Sequence, residues 1–208
     1  MDIKLYYHPK TRAFRVRWLL EELGLDYEIQ YVDLFGGEGN SPAYKKIHPH
    51  GCLPALEVNG HVMFETSAIC HWLTDQFPDK GLAPPMDDPA RMLYTQWMYY
   101  VPATIEPPLW YEFLHSKILP AEQRVPAIMP FLQQRYTDVF EVLNEAYKDK
   151  AHLINGRFST VDLMIGSMLP WKIKEVSHYP ELKRLLQDVT QRSAFRRAKA
   201  EIAEQAVS

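Results

Sequence analysis

Cysteine is scarce: Cys52 and Cys70 are the two thiols in 208 residues. Two are too few for a disulfide framework, and they form no Cys-x-x-Cys pair. A stapled secreted scaffold is therefore not expected, and a reducing cytoplasm is the simple setting. Long apolar runs are missing as well, so no membrane-spanning segment is expected. Nor is there a block of one charge sign. The formal net charge is −3 with acidic and basic residues interspersed, and nothing in that pattern invites a nucleic acid. The eight histidines are scattered. His48 and His50 are the one close pair, and without further ligands they make no metal site. The opening Met-Asp-Ile-Lys-Leu-Tyr-Tyr enters a strand pattern at once and leaves no room for a signal peptide. No internal repeat or low-complexity tract occurs.

What is present is an ordinary globular composition, 47% hydrophobic and 24% charged, long enough for one large domain or two small ones. Residues 3–7 read as a buried strand stopped by Pro9. From Ala13 the period changes to a helical stripe of Ala13, Val16, Leu20 and Leu23, with Gly24 as its stop. Tyr27 to Leu34 alternates as a strand, a glycine-rich loop follows, and a short helix is expected from Pro42 to Ile47. Residues 55–64 read as a hairpin around Asn59-Gly60, and Ser67 to Phe77 as a helix. Four prolines, a glycine and three aspartates then crowd residues 78–89, the composition of a linker. Beyond it the period is helical: 90–115, 123–148, 160–174, 180–191 and 193–204. The expectation is two domains, a mixed α/β half over 1–78 and an all-helical half over 90–208, with 79–89 between them.

The most informative stretch is Gly51 to Ser67. Proline cannot donate to a sheet ladder, so Pro54 inside a strand-like run needs a reason. One reason is an ordinary strand edge. The other is a cis bond that exposes the backbone of Leu53, an edge with which an extended peptide can pair. Glu65-Thr66-Ser67 opens the next helix. There Thr66 or Ser67 can cap, and the unpaired N–H groups of a helix start can also hold a charged terminus. Together these residues describe a cradle for a short, extended, charged peptide.

A second constellation lies in the turn from Tyr6 to Arg15. Thr11 is placed to cap the helix that follows. The same place suits a ligand thiol, because helix N-termini and cationic side chains such as Arg12 and Arg15 lower a thiol pKa from about 8.5. Tyr7 is either a further donor or a core residue of its strand. Near the other end, Ser159 and Asp162 have capping-box spacing, with Phe158 and Leu163 at the staple positions, which is a folding device.

Taken in order, the Tyr-Tyr-x-Pro turn, Leu-Leu-Glu-Glu-Leu-Gly, Pro-x-Gly-x-Leu-Pro-Ala-Leu, Glu-Thr-Ser-Ala-Ile, the proline-rich linker and Ser-Thr-Val-Asp resemble a cytosolic glutathione S-transferase of bacterial type. The resemblance covers essentially the whole chain. It implies a thioredoxin-like N-terminal domain with cis-Pro54, an all-helical C-terminal domain, a homodimer, and a substrate cleft between the domains. Glutathione is then a co-substrate and no other cofactor is expected. By the same resemblance, the Leu53 backbone pairs with the cysteinyl part of glutathione. Glu65 and Thr66 hold its γ-glutamyl end, with Ser67 a neighbour. Cys52 stands where relatives often carry glutamine or a similar polar residue. Thr11 matches the serine of hydroxyl-type members. Arg12 takes the position at which many bacterial relatives carry a cysteine, so the active site resembles the hydroxyl type, with Thr11 first, Tyr7 second and Arg12 as added positive potential. The electrophile pocket implied by the family draws on the first long helix of the second domain. That helix offers Trp97, Tyr99, Tyr100, Glu106 and Trp110, rings that suit flat apolar ligands or the packing of a helical core. The expected reaction is attack of the glutathione thiolate on a hydrophobic electrophile. Peroxide or disulfide reduction, and ligand binding without catalysis, remain as alternatives.

Overall fold

In strand β1 (Ile3–Tyr7), Ile3, Leu5 and Tyr7 are buried at alternate positions, the period of two that their apolar pattern prescribes. Helix α1 (Ala13–Leu23) buries Val16, Leu19, Leu20 and Leu23, and ends at Gly24 with φ 65°, a left-handed conformation that a side chain resists. Strand β2 (Glu28–Tyr31) runs parallel to β1, and β3 (Ala55–Val58) antiparallel to it. Strand β4 (His61–Phe64) folds back on β3 across Asn59 and Gly60, whose φ values of 49° and 80° suit the tight hairpin turn their sequence specifies. Helix α2 (Thr66–Gln76) follows. The sheet order is β2-β1-β3-β4, the mixed four-stranded sheet of a thioredoxin-like domain.

Two expectations shrink here. The strand foreseen over 27–34 pairs only from Glu28 to Tyr31, because Asp33 turns the chain by accepting the Gly36 N–H at 2.8 Å. The helix foreseen over 42–47 is a single 3-10 turn, Tyr44–Lys46, confined between Pro42 and Pro49.

The computed structural model describes residues 1–205, and the side chains of residues 1–200. The chain divides into two compact units: residues 1–82 together with the stretch from Thr190 onward, and residues 83–189. The second unit is mostly helical. Helices α3 (Ala90–Tyr100) and α4 (Glu106–Phe113) are joined by a widened turn over Val101–Ile105. Pro102, Pro107 and Pro108 supply no N–H to the α-helical ladder here, so the helix expected over 90–115 runs on without a break but widens at Val101–Ile105 and again at Leu114–Ile118. Helix α5 (Met129–Ala146) begins later than its apolar period suggests, after the short turns that Pro120 and Pro126 impose. Helix α6 (Thr160–Gly166) is buried along its whole length, and α7 (Ile173–Val176) and α8 (Pro180–Gln191) follow. The Ser159–Asp162 capping box foreseen from spacing is formed at the start of α6.

Helix α9 (Ser193–Gln205) belongs to the stretch that sequence grouped with the helical half, yet it packs on α1 in the first unit. Phe195 sits edge-on to Trp18 at 4.9 Å and to Phe14 at 5.7 Å. Arg192 donates two bonds to Glu22 at 2.6 and 2.7 Å, and Arg197 donates to the Glu21 carboxylate at 2.7 Å. Apolar periodicity identifies a helix but not the surface it will cover.

Candidate functional site

The strand register assembles the site. Tyr6 pairs with Ala55, and Ala55 pairs with Phe64. The end of β1, the start of β3 and the end of β4 therefore lie at one end of the sheet. Three segments leave the sheet there: the turn at 8–12, Leu53-Pro54, and Glu65-Thr66-Ser67. They are the two constellations that sequence set apart by more than forty residues.

The Leu53–Pro54 peptide bond is cis. Leu53 and Pro54 are buried and Cys52 is exposed, its Sγ 3.5 Å from the His50 carbonyl. The loop ahead of them is held backbone to backbone. A Cβ on Gly51 would stand 2.3 Å from the Gly39 oxygen, and one on Gly39 would stand 2.4 Å from the Gly51 oxygen. Only glycine at both positions permits that approach. Tyr44, whose side chain is buried here, donates from its hydroxyl to the Cys52 carbonyl at 2.8 Å.

Glu65 ends the hairpin with φ 75° and ψ 108°, a region that side chains avoid. Strain of this kind costs about 1–3 kcal/mol and persists where the surroundings impose it, commonly at ligand sites. The Glu65 carbonyl accepts the Ile69 N–H at 2.9 Å, and no side chain caps the first turn of α2. Thr66 is buried, Ser67 half-buried and Glu65 exposed. The N–H groups of the first turn of α2 thus suit an anionic group, and the exposed Glu65 carboxylate suits a cationic one.

At the turn, Thr11 is half-buried. Its hydroxyl donates to the His8 carbonyl at 2.7 Å and accepts the Ala13 N–H at 3.3 Å, the capping geometry. The same His8 carbonyl also accepts the Thr11 N–H at 3.1 Å. Arg12, half-buried, stands at the N-cap position of α1 without a side-chain cap bond. Tyr7 is 0% exposed. The Arg17 guanidinium lies 5.2 Å from its ring centroid. Burial raises the Tyr7 pKa, and the Arg17 charge opposes that rise. A phenol with no exposed surface offers no direct contact to a ligand, so the structure places Tyr7 in the core, the other role its strand position allowed.

Two histidines border these segments. His48 is buried with its ring 4.8 Å from Phe64, and its Nδ1 accepts the His50 N–H at 3.3 Å, which leaves the neutral-form proton on Nε2. Burial, then His50, lower its pKa, and Glu65 opposes them. His8 packs against Phe35 at 4.8 Å and Tyr31 at 5.2 Å. Burial, then Lys10, lower its pKa, with Asp33 opposing. Cys70 lies inside α2, and burial pushes its thiol to about 12, which removes it from thiolate chemistry. No group of three or more metal-binding side chains occurs among the described residues.

The residues proposed for an apolar substrate lie in the second unit. Tyr99 is exposed and Tyr100 half-buried on the last turn of α3, Glu106 is buried at the start of α4, and Trp110 is half-buried one turn later. Trp97 meets Tyr100 edge-on at 5.1 Å. Sequence reasoning missed the continuation of this aromatic series: Phe113 lies 6.2 Å from Trp110 and 6.0 Å from Trp171. The three-residue interval from Trp110 to Phe113 was a legible signal, since such pairs share a helix face; Trp171 lies too far along the chain for any spacing rule. Tyr44 and Gly39 were missed too, because both act on partners across a loop.

Residues 11–76 match the family model described as "Glutathione S-transferase, N-terminal domain". Over 95% of its length the chain is 26% identical to Glutathione S-transferase 1 of Saccharomyces cerevisiae, covering 94% of that protein. A shorter stretch, 43% of each chain, is 39% identical to the maleylacetoacetate isomerase of Pseudomonas aeruginosa. Among solved structures, a glutathione transferase from Phanerochaete chrysosporium with oxidized glutathione superposes with a TM-score of 0.87 at 21% identity, over 100% of this chain and 97% of that one.

Proposed function

We propose that this chain is a member of the glutathione S-transferase family, binds glutathione at the sheet end formed by Thr11, Leu53-Pro54 and Glu65-Thr66, and directs its thiolate at a hydrophobic electrophile. The observation that carries the reading is the register Tyr6–Ala55–Phe64, which gathers these three segments in one place. The Leu53 backbone pairs with the extended tripeptide. The first turn of α2 holds the γ-glutamyl carboxylate, and Glu65 holds its amine, the use to which the strained backbone at Glu65 is put.

The thiol lies toward Thr11. It gives its proton to solvent, and the sulfur lone pair attacks an electrophilic carbon. A C–S bond forms, and in a substitution the leaving group departs with its bonding pair. Thr11 is able to serve this step because the His8 carbonyl has two donors. When the hydroxyl turns to the sulfur, the Thr11 N–H at 3.1 Å still satisfies that carbonyl. Lowering a thiol pKa by one unit requires about 1.4 kcal/mol. A hydrogen bond to a charged acceptor, about 1.5–3 kcal/mol, covers that requirement, with about 0.3–1 kcal/mol more from the helix terminus. The aromatic series of α3 and α4 is the proposed electrophile surface, and a cytoplasmic homodimer is the proposed working form.

Calorimetry with glutathione and a conjugation assay with an aryl halide test the reading. Thr11→Ala is expected to lower kcat/KM about tenfold and to move the alkaline rise of the pH-rate profile up by about one unit. An unchanged rate and profile would remove Thr11 from the mechanism; no glutathione binding by the native chain would remove the function. The match to a maleylacetoacetate isomerase favours a second reading. There the thiolate adds to an unsaturated carbon and leaves after bond rotation, so glutathione is regenerated. Consumption of glutathione separates the two.

A further inference from the structure

Tyr44 is a buried residue of the first unit whose hydroxyl the proposed mechanism leaves unused. We infer that Tyr44 is a positioning residue for glutathione: its phenol pins the Cys52 carbonyl and thereby aims the Leu53 N–H at the ligand. The inference rests on the glutathione-binding reading.

The geometry of the peptide unit supplies the link. The Cys52 carbonyl and the Leu53 N–H belong to one planar trans peptide group, in which C=O and N–H point in opposite directions. The chain's cis bond is the next one, Leu53–Pro54. A donor that fixes the Cys52 oxygen at 2.8 Å therefore fixes the direction of the Leu53 N–H, away from Tyr44. Pro54 has no N–H to offer, so Leu53 is the last donor before β3.

Tyr44 is itself well anchored. It is 5% exposed, and its ring lies edge-on to Tyr6 at 6.0 Å. The Tyr6 hydroxyl donates to Glu57 on β3 at 2.9 Å, so the ring of Tyr44 is referenced to two strands of the sheet. Its main chain organises the turn before the site: its carbonyl accepts the N–H groups of Ile47 at 2.8 Å and His48 at 2.9 Å, and its own N–H donates to the Ser41 hydroxyl at 3.1 Å. Burial first, then the neighbouring Cys52, raise the phenol pKa far above the ordinary tyrosine value, so the hydroxyl keeps its proton and remains a donor. The close approach of Gly39 to Gly51 fixes the loop one residue upstream, which leaves the orientation of the Cys52 peptide to the Tyr44 bond.

The test is Tyr44→Phe, which removes one oxygen and leaves the ring. The dissociation constant for glutathione is expected to rise about fivefold, the equivalent of one ordinary hydrogen bond. The electrophile KM, and kcat at saturating glutathione, are expected to stay within about twofold, because the bond acts on glutathione placement alone. Installing 4-aminophenylalanine at position 44 returns an N–H donor and is expected to restore affinity. Ser41→Ala loosens the same turn but leaves the phenol in place, so it is expected to lower stability without changing the glutathione dissociation constant. An unchanged constant in a folded Tyr44→Phe protein overturns the inference, as does an equal loss in Ser41→Ala. In the native chain the Leu53 amide signal must move on titration with glutathione, a measurement that needs no variant to fold. A signal that stays in place also overturns the inference. If the native chain does not bind glutathione, the functional reading falls and takes the inference with it; native binding with no effect of Tyr44→Phe removes the inference alone.

Discussion

Replacing Asp162 by alanine is expected to be among the most damaging single changes in the second unit. The carboxylate is 0% exposed and is the acceptor at the centre of a buried network. One oxygen accepts the Ser159 N–H at 2.8 Å and the Ser159 hydroxyl at 3.0 Å. The other accepts the Tyr147 hydroxyl at 2.9 Å and the Leu153 N–H at 3.4 Å, and His152 Nδ1 lies 3.5 Å from it. Truncation leaves two main-chain N–H groups and a phenol buried without an acceptor, at about 1–3 kcal/mol each before relaxation. Water entering the vacated space recovers part of this, which brings the net loss to about 4 kcal/mol, within the range for breaking a buried charged network. For a chain of this size that corresponds to a fall in Tm of about 8–16 °C. Ser159→Ala removes the cap hydroxyl with its bond to Asp162 but keeps the main-chain contact, and is expected to cost about 1 kcal/mol. Urea titration followed by tryptophan fluorescence and circular dichroism measures both. A loss below about 1.5 kcal/mol in Asp162→Ala, or a loss no larger than that of Ser159→Ala, would show that the Tyr147 and Leu153 contacts contribute nothing and that the network reduces to a cap.

Three further outcomes are expected. Gly51→Ala places a methyl group 2.3 Å from the Gly39 oxygen at a position with φ 63°, so it should displace the Cys52–Leu53 segment and weaken glutathione binding at least tenfold, about 1.4 kcal/mol, by calorimetry. Arg192→Met removes the opposite charge from the Glu22 carboxylate, which is 6% exposed and keeps the Trp18 indole N–H at 3.0 Å as a donor. Because Arg192 itself is 35% exposed, the loss should be about 1–2 kcal/mol in urea unfolding, with α9 released from α1 in hydrogen exchange. His8 and His48 both have pKa values lowered by burial, so between the unfolded value of about 6.5 and their folded values the unfolded chain binds more protons. Stability is then complete above about pH 6.5 and declines as pH falls, and His48→Gln should flatten that decline in thermal melts taken from pH 7.5 to 5.

How much of the molecule was legible in the sequence depended on how far each signal had to reach. The Asn59-Gly60 turn, the Gly24 stop and the Ser159–Asp162 box are interactions within four residues, and each is present as its spacing prescribes. The expected helix over 42–47 shrank to one turn, and the helix expected over 90–115 formed with a widened turn inside it, because apolar period alone does not register the N–H groups that nearby prolines withdraw. Thr11 was placed at its cap correctly, but Tyr7 had two readings until burial and the Arg17 guanidinium put it in the core.

The sequence by itself determined the elements and the chemistry available at each end of them: a proline before β3, a Glu-Thr-Ser opening of α2, a hydroxyl ahead of α1. Those are local properties, decided by backbone sterics and by hydrogen bonds a few residues long. The tertiary structure decided which of these ends meet. Strand register brought 8–12, 53–54 and 65–67 to one end of the sheet. Close packing of two glycines and one phenol fixed the peptide at Cys52, and ion pairs between residues 170 or more positions apart returned α9 to α1. Such contacts have no period and no motif. They exist because the folded chain buries apolar faces together and pairs most of the polar groups that burial takes from water, a condition that only the whole molecule satisfies.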